Sequence, residues 1–126
     1  MAENRLLIVD DEVDFLTIMK KRIESWGYEV VSASNAQDAL AIVRGTRPDA
    51  IILDYMMPEI NGIDLLRKIR EIDRGVPVIM FTANPTFKAI KDGQGLRVAA
   101  FIPKVSALND VEKDLEMTLG LILPKK

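Results

Sequence analysis

The residues of this 126-residue chain with the most chemical potential sit where short apolar runs break off. Asp10 and Asp11 follow Leu6-Leu7-Ile8-Val9. Asp54 follows Ile51-Ile52-Leu53, Thr82 follows Val78-Ile79-Met80-Phe81, and Lys104 comes after Val98–Ile102 and Pro103. Runs of this kind read as strands buried on both faces, the mark of a parallel sheet. Side chains at the C-terminal ends of such strands face the crevice where open α/β sheets bind ligands. Carboxylates gathered there repel one another unless a cation or protons relieve them. Oxygen ligands with no histidine or cysteine nearby suit Mg²⁺, which keeps several of its waters. A carboxylate nucleophile at Asp54, a divalent metal, the Lys104 ammonium and the Thr82 hydroxyl together provide what phosphoryl transfer needs.

Composition removes the main alternatives. The chain contains neither histidine nor cysteine. That excludes a Ser-His-Asp triad, disulfides, thiolate chemistry and the usual zinc ligands. The lack of cysteine fits a cytoplasmic address. No apolar run approaches the ~18–20 residues of a membrane span, and the N-terminus lacks the parts of a signal peptide. A formal net charge of −2 offers no electrostatic case for direct nucleic-acid binding. With 48% hydrophobic and 29% charged residues, the chain can bury a core as one ordinary globular domain.

The elements that must position these groups follow from periodicity. Strands are expected at Leu6–Val9, Tyr28–Ala33, Ala50–Leu53, Pro77–Phe81 and Val98–Ile102. Between them, helical spacing predicts Val13–Trp26, with Leu16, Met19, Ile23 and Trp26 on one stripe. It also predicts Ala36–Arg44, capped by Ser34 or Asn35, stopped by Gly45 and lined by Ala39, Leu40 and Val43. A third helix is expected over Ile63–Ile72 with Leu65, Leu66 and Ile69 inward, after an Asn61-Gly62 turn. The last runs over Leu108–Leu121 with Val111, Leu115 and Leu119 inward, before a frayed tail from Leu123. The fourth helix reads as a weak one around Thr86–Lys91, interrupted by Gly93 and Gly95, each costing roughly 1 kcal/mol against alanine. Strands alternating with helices across short loops imply an α/β fold, a doubly wound five-stranded parallel sheet with five helices on its two faces. In the flavodoxin-like strand order 2-1-3-4-5, the switch point between the first and third strands brings Asp10, Asp11 and Asp54 together.

These features in this order resemble the receiver domain of two-component response regulators, in its single-domain, chemotaxis-regulator-like form, over essentially residues 1–126. The resemblance rests on Asp10-Asp11, the block Asp54-x-x-Met57-Pro58-x-x-x-Gly62, Thr82-Ala83, and Lys104 with Phe101 three residues before it. It implies that Asp54 accepts phosphate from a sensor histidine kinase or phosphotransfer protein, forming an aspartyl phosphate. It implies Mg²⁺ held by Asp11, Asp54 and the Met56 backbone carbonyl, with Asp10 acting through water. Lys104 would pair with Asp54 and then with the phosphoryl group, while the Thr82 hydroxyl and Ala83 amide bind phosphoryl oxygens. Thr82 moving inward would let Phe101 change rotamer, altering the surface made by the fourth helix, fifth strand and fifth helix for an unknown downstream protein. Such a domain is a switch with self-catalysed chemistry, not a turnover enzyme. No output domain is expected within the chain, which is either a stand-alone regulator or a piece of a longer one.

Two departures from the family pattern carry expectations. Relatives usually place proline after the lysine, joined by a cis bond. Val105 stands there instead, and a non-proline cis bond costs roughly 2.5–4 kcal/mol, so a trans or strained Lys104–Val105 bond is expected. Gly93 and Gly95 come ahead of the family's usual glycine near position 97, which predicts a short or mobile fourth helix and an unusual output face.

Blander readings stand beside these. Asp10-Asp11 alone could cap the first helix, Thr82 could be a structural strand-end hydroxyl, and Trp26 is expected in the core or rim far from the site, a poor reporter of phosphorylation. Val105 leaves room for a degenerate receiver acting only as a protein-interaction module. A haloacid-dehalogenase-like phosphatase would need a second acid at Met56, and a nucleotide- or flavin-binding domain would need a glycine-rich loop after the first strand. Neither is present.

Overall fold

A computed structural model describes residues 4–83, 86–104 and 108–123. Strands and helices alternate as β1 (Arg5–Val9), α1 (Val13–Ser25), β2 (Glu29–Ala33), α2 (Ala36–Thr46), β3 (Ala50–Asp54), α3 (Gly62–Ile72), β4 (Val78–Thr82), α4 (Phe87–Gly95), β5 (Ala100–Pro103) and α5 (Leu108–Ile122). The strands form one parallel sheet in the order β2-β1-β3-β4-β5, as expected. β3 and β4 are buried along their whole length, which is why they read as continuous apolar runs with no alternation. Among the described residues, no helix is long and apolar enough to cross a membrane.

Side-chain alternation along the strands divides the core into two layers. Leu6, Ile8, Ile52, Ile79, Phe81 and Ile102 meet Leu16, Met19 and Ile23 of α1 and Val111, Leu115 and Leu119 of α5. On the other face, Leu7, Val9, Ile51, Leu53, Val78 and Met80 meet α2 and α3 through Ala39, Val43, Leu65, Leu66 and Ile69. Trp26 is half-buried against the first layer at the C-terminal end of α1, and Leu123 packs there too instead of fraying. Leu40 lies only partly buried at the edge of the second layer.

Caps set the helix boundaries. The Asn35 and Asn61 side chains accept from the Asp38 and Asp64 amides at 2.8 and 2.9 Å. Gly27 takes φ +99 just beyond α1, the left-handed geometry that releases the chain toward β2. Gly45 does not end α2. The helix runs on to Thr46, and Arg47 adopts the left-handed cap at φ 50.

The fourth helix corrects the sequence expectation. α4 is a regular helix through Gln94 and Gly95, started by Thr86, whose Oγ1 accepts from the Ala89 amide at 3.0 Å. Gly93 is buried because the Phe101 ring lies against it, leaving no room for a side chain. Arg97 turns left-handed at φ 61 just beyond the helix. The Arg70 guanidinium of α3 donates to the carbonyls of Leu96 at 2.9 Å, Arg97 at 3.3 Å and Val76 at 2.6 Å. These tertiary contacts offset the low helix propensity of the two glycines. β5 correspondingly starts at Ala100, two residues later than its apolar run suggests. The Lys104–Val105 bond involves a residue outside those described.

Candidate functional site

The site forms where β1, β3, β4 and β5 all end on one edge of the sheet. Asp10, the first residue past β1, is 1% exposed, and Asp54, the last of β3, is 4% exposed. Asp11 is exposed on the loop between them and α1. One carboxylate oxygen from each of Asp10, Asp11 and Asp54 lies within 4.8 Å of the others. Such an all-carboxylate cluster fits a hard divalent cation.

Backbone anchors hold the acids in place. Asp10 Oδ1 accepts from the Glu12 amide at 2.9 Å. Asp54 Oδ1 accepts from the Met56 amide at 3.3 Å, which turns the chain back over the strand end, while the Met56 side chain projects into solvent. Gly62 then packs on the strand end. A Cβ there would approach the Asp54 carbonyl oxygen to 2.8 Å and the Tyr55 Cα to 2.9 Å, so only glycine lets α3 begin here. The Gly62 amide donates to the Tyr55 carbonyl at 2.8 Å. This is the physical content of the spacing between Asp54 and Gly62.

Lys104 enters from β5, its amide donating to the Thr82 carbonyl at 2.8 Å. Its ammonium hydrogen-bonds Asp10 at 2.7 Å and Glu12 at 3.0 Å, and stands 3.6 Å from Asp54, close enough for attraction but beyond a hydrogen bond. It also lies 4.4 Å from the centroid of the Phe15 ring. Phe15 packs edge-on against Phe81 with centroids 5.9 Å apart. Neither Glu12 nor Phe15 was singled out by sequence. Glu12 is a third acid in an acidic run, and Phe15 lies off the main stripe of α1.

Thr82 is buried at the end of β4 and Ala83 is exposed beside it. Phe101 pairs with Met80 across the β4–β5 ladder and is partly buried among side chains of the second layer. Strand alternation puts Thr82 on the face of Met80, and thus of Phe101.

Electrostatics mark Asp54 as the group most affected by assembly. Burial pushes its carboxyl up to about 6, the Asp10 charge adds to the rise, and Lys104 and the Met56 amide oppose it. Burial also raises Asp10, outweighing its hydrogen bonds from Lys104 and the Glu12 amide. For Lys104, burial favours the neutral amine, but the hydrogen bonds to Asp10 and Glu12 and the charges of Asp10 and Asp54 outweigh it and hold the ammonium above its ordinary value. The cluster thus has one internal cation and an excess of negative charge, an arrangement that a divalent cation relieves.

The chain is similar to known proteins in both sequence and fold. A family model described as the response regulator receiver domain matches residues 6–116. The chain is 39% identical over 129 residues to a protein-glutamate methylesterase/protein-glutamine glutaminase of Trichodesmium erythraeum, covering 99% of this chain and 37% of that protein. It is 38% identical over 104 residues to the phosphate regulon transcriptional regulatory protein PhoB of Pseudomonas aeruginosa, covering 79% of this chain and 44% of that protein. Across curated relatives such as the alkaline phosphatase synthesis regulator PhoP of Bacillus subtilis, the match spans about a third of the relative's length, 33% in that case. Among solved structures, the non-phosphorylated HemR receiver domain of Leptospira biflexa superposes with TM-score 0.86 at 27% identity, covering 98% of this chain and 97% of that one. A receiver domain protein from Methanospirillum hungatei gives 0.85 at 26% identity, covering 96% and 97%.

Proposed function

Because the chain belongs to the response regulator receiver family, we propose that it is the phosphoacceptor switch of a phosphorelay, taking phosphate on Asp54 from a phosphohistidine of a sensor histidine kinase or phosphotransfer protein. The observation that carries this reading is the convergence of Asp10, Asp11, Asp54 and Lys104 at one edge of the sheet.

A carboxylate oxygen of Asp54 attacks the phosphorus. The P–N bond to the donor imidazole breaks as the P–O bond forms, and the imidazole leaves with the bonding electrons. The chain lacks histidine of its own, which is consistent with the donor residing on a partner. Asp11, Asp54 and the Met56 carbonyl would hold Mg²⁺, with Asp10 contributing through water. The metal supplies positive charge for the phosphoryl oxygens. Lys104 closes its 3.6 Å gap and pairs with the incoming phosphoryl oxygens. The Thr82 hydroxyl and Ala83 amide bind another of them. The Thr82 movement reaches Phe101, and the surface of α4, β5 and α5 changes for a downstream protein. This is switching, with slow self-catalysed gain and loss of phosphate instead of turnover.

The test is mass spectrometry after incubation with Mg²⁺ and acetyl phosphate. The chain gains the mass of one phosphate, and Asp54→Asn does not. No adduct from any donor, together with no Mg²⁺ binding, overturns the proposal.

A further inference from the structure

The Lys104 ammonium makes its hydrogen bonds to groups other than Asp54. Two of its protons go to Asp10 at 2.7 Å and Glu12 at 3.0 Å, and the Phe15 ring lies 4.4 Å away. Asp54 is the most distant of its three acidic neighbours, at 3.6 Å. We infer that Glu12 and Phe15 are positioning residues that park Lys104 over Asp10, short of Asp54, until an anionic phosphoryl group draws it across. This inference rests on the phosphoacceptor reading of Asp54 and adds two residues to it.

The parking place is built from three sides. Glu12 is fixed at its main chain by donating to Asp10 Oδ1 at 2.9 Å, so its carboxylate and that of Asp10 grip the ammonium as a pair. Phe15 presents its ring from the first turns of α1 and is held edge-on by Phe81, which pairs with Asp54 across the sheet. A cation against an aromatic face is attracted by the ring quadrupole, more strongly where water is excluded, and the Lys104 side chain is only 13% exposed. The move required is short, from 3.6 Å to the ~2.8 Å of a charge-assisted hydrogen bond. Releasing Glu12 is the step that adjusts how readily the lysine follows the phosphoryl group.

Glu12→Gln tests this without threatening the fold, because the Glu12 side chain is 66% exposed. The first readout uses neither metal nor phosphate donor: the Lys104 Nζ resonance in ¹⁵N-lysine-labelled protein. With Glu12 present, Asp54→Asn leaves that resonance nearly in place. In the Glu12→Gln background the ammonium has closed on Asp54, and the same Asp54→Asn change shifts it clearly. Equal shifts in the two backgrounds overturn the parking. The second readout is the rate of phosphate gain from acetyl phosphate with Mg²⁺. Glu12→Gln accelerates it about threefold, the size of effect expected on releasing one exposed ion pair, and Lys104→Met abolishes the difference. An unchanged or slower rate in Glu12→Gln, or an acceleration that persists in Lys104→Met, overturns the inference. If no variant takes phosphate from any donor, the phosphoacceptor reading fails, while the Lys104 resonance still decides whether the lysine is parked.

Discussion

The Phe101 ring lies so close to Gly93 that a methyl group on that glycine would overlap it. A residue that looks like a helix breaker is therefore the seat of the aromatic side chain proposed for the switch. Gly93→Ala gains about 1 kcal/mol of helix propensity but forces Phe101 outward, an overpacking cost of about 1–3 kcal/mol. The expected result is a net loss of stability and a more exposed Phe101, read by urea unfolding and by ring contacts in NMR spectra.

Gly95 is the control for that substitution. Nothing lies within 4 Å of a Cβ placed there, and its backbone is not left-handed. Gly95→Ala should stabilise the chain by about 0.5–1 kcal/mol. A destabilised Gly95→Ala in urea unfolding would contradict the course of α4.

Gly62→Ala strikes the site from below. Its Cβ would press on the Asp54 carbonyl, the Tyr55 Cα and the Met80 sulfur, each within 2.9 Å. A loss of about 2 kcal/mol is expected, along with weaker Mg²⁺ binding by calorimetry, since the strand end carrying Asp54 must move.

Protonation of Asp54 makes stability depend on pH in an unusual direction. Its folded value, about 6, lies above the 3.8 of an ordinary aspartate. The native state therefore binds this proton more tightly than the unfolded chain does. The group's stabilising contribution is complete below about pH 4 and is lost as pH rises through about 6, by roughly 3 kcal/mol at ~1.4 kcal/mol per unit. Asp10 shifts in the same direction. Urea unfolding of metal-free protein should show Asp54→Asn flattening the decline between pH 5 and 7, and Mg²⁺ restoring stability to the unmodified chain at pH 7.

Arg70 ties α3 to the end of α4 through the carbonyls of Leu96 and Arg97, and to the segment before β4 through that of Val76. Arg70→Met leaves these acceptors without their charged donor, and a loss of about 2–3 kcal/mol is expected. Hydrogen exchange should accelerate first in the Arg97 and Val98 amides, which close the turn after α4.

Much of this was legible because a parallel sheet writes itself plainly. Leu6–Val9 and Ile51–Leu53 are apolar without alternation because helices cover both faces, and each run stops where the chain leaves the core. The acids and the lysine at those stops read directly as a site. Local propensity failed where distant side chains decided the matter. The cost of Gly93 is counted along the helix, whereas its compensation comes from Phe101 and Arg70, which no window around Gly93 reveals. The same holds for Lys104. Its sequence position predicts proximity to Asp54, but the competition among Asp10, Glu12 and the Phe15 ring exists only once α1 has docked.

The division of the interior by the sheet has a consequence for how variation can accumulate in this chain. Val111 and Leu115 belong to one layer, Leu66 and Ile69 to the other, and the backbone of the strands stands between them. Size changes within a layer must be matched by their neighbours, so paired substitutions there should show strong epistasis. Pairs drawn from opposite layers are separated by that backbone, and their effects should sum. Each half of the interior is thus free to drift or be redesigned on its own, with the strand termini carrying Asp10 and Asp54 as the seam both halves must respect.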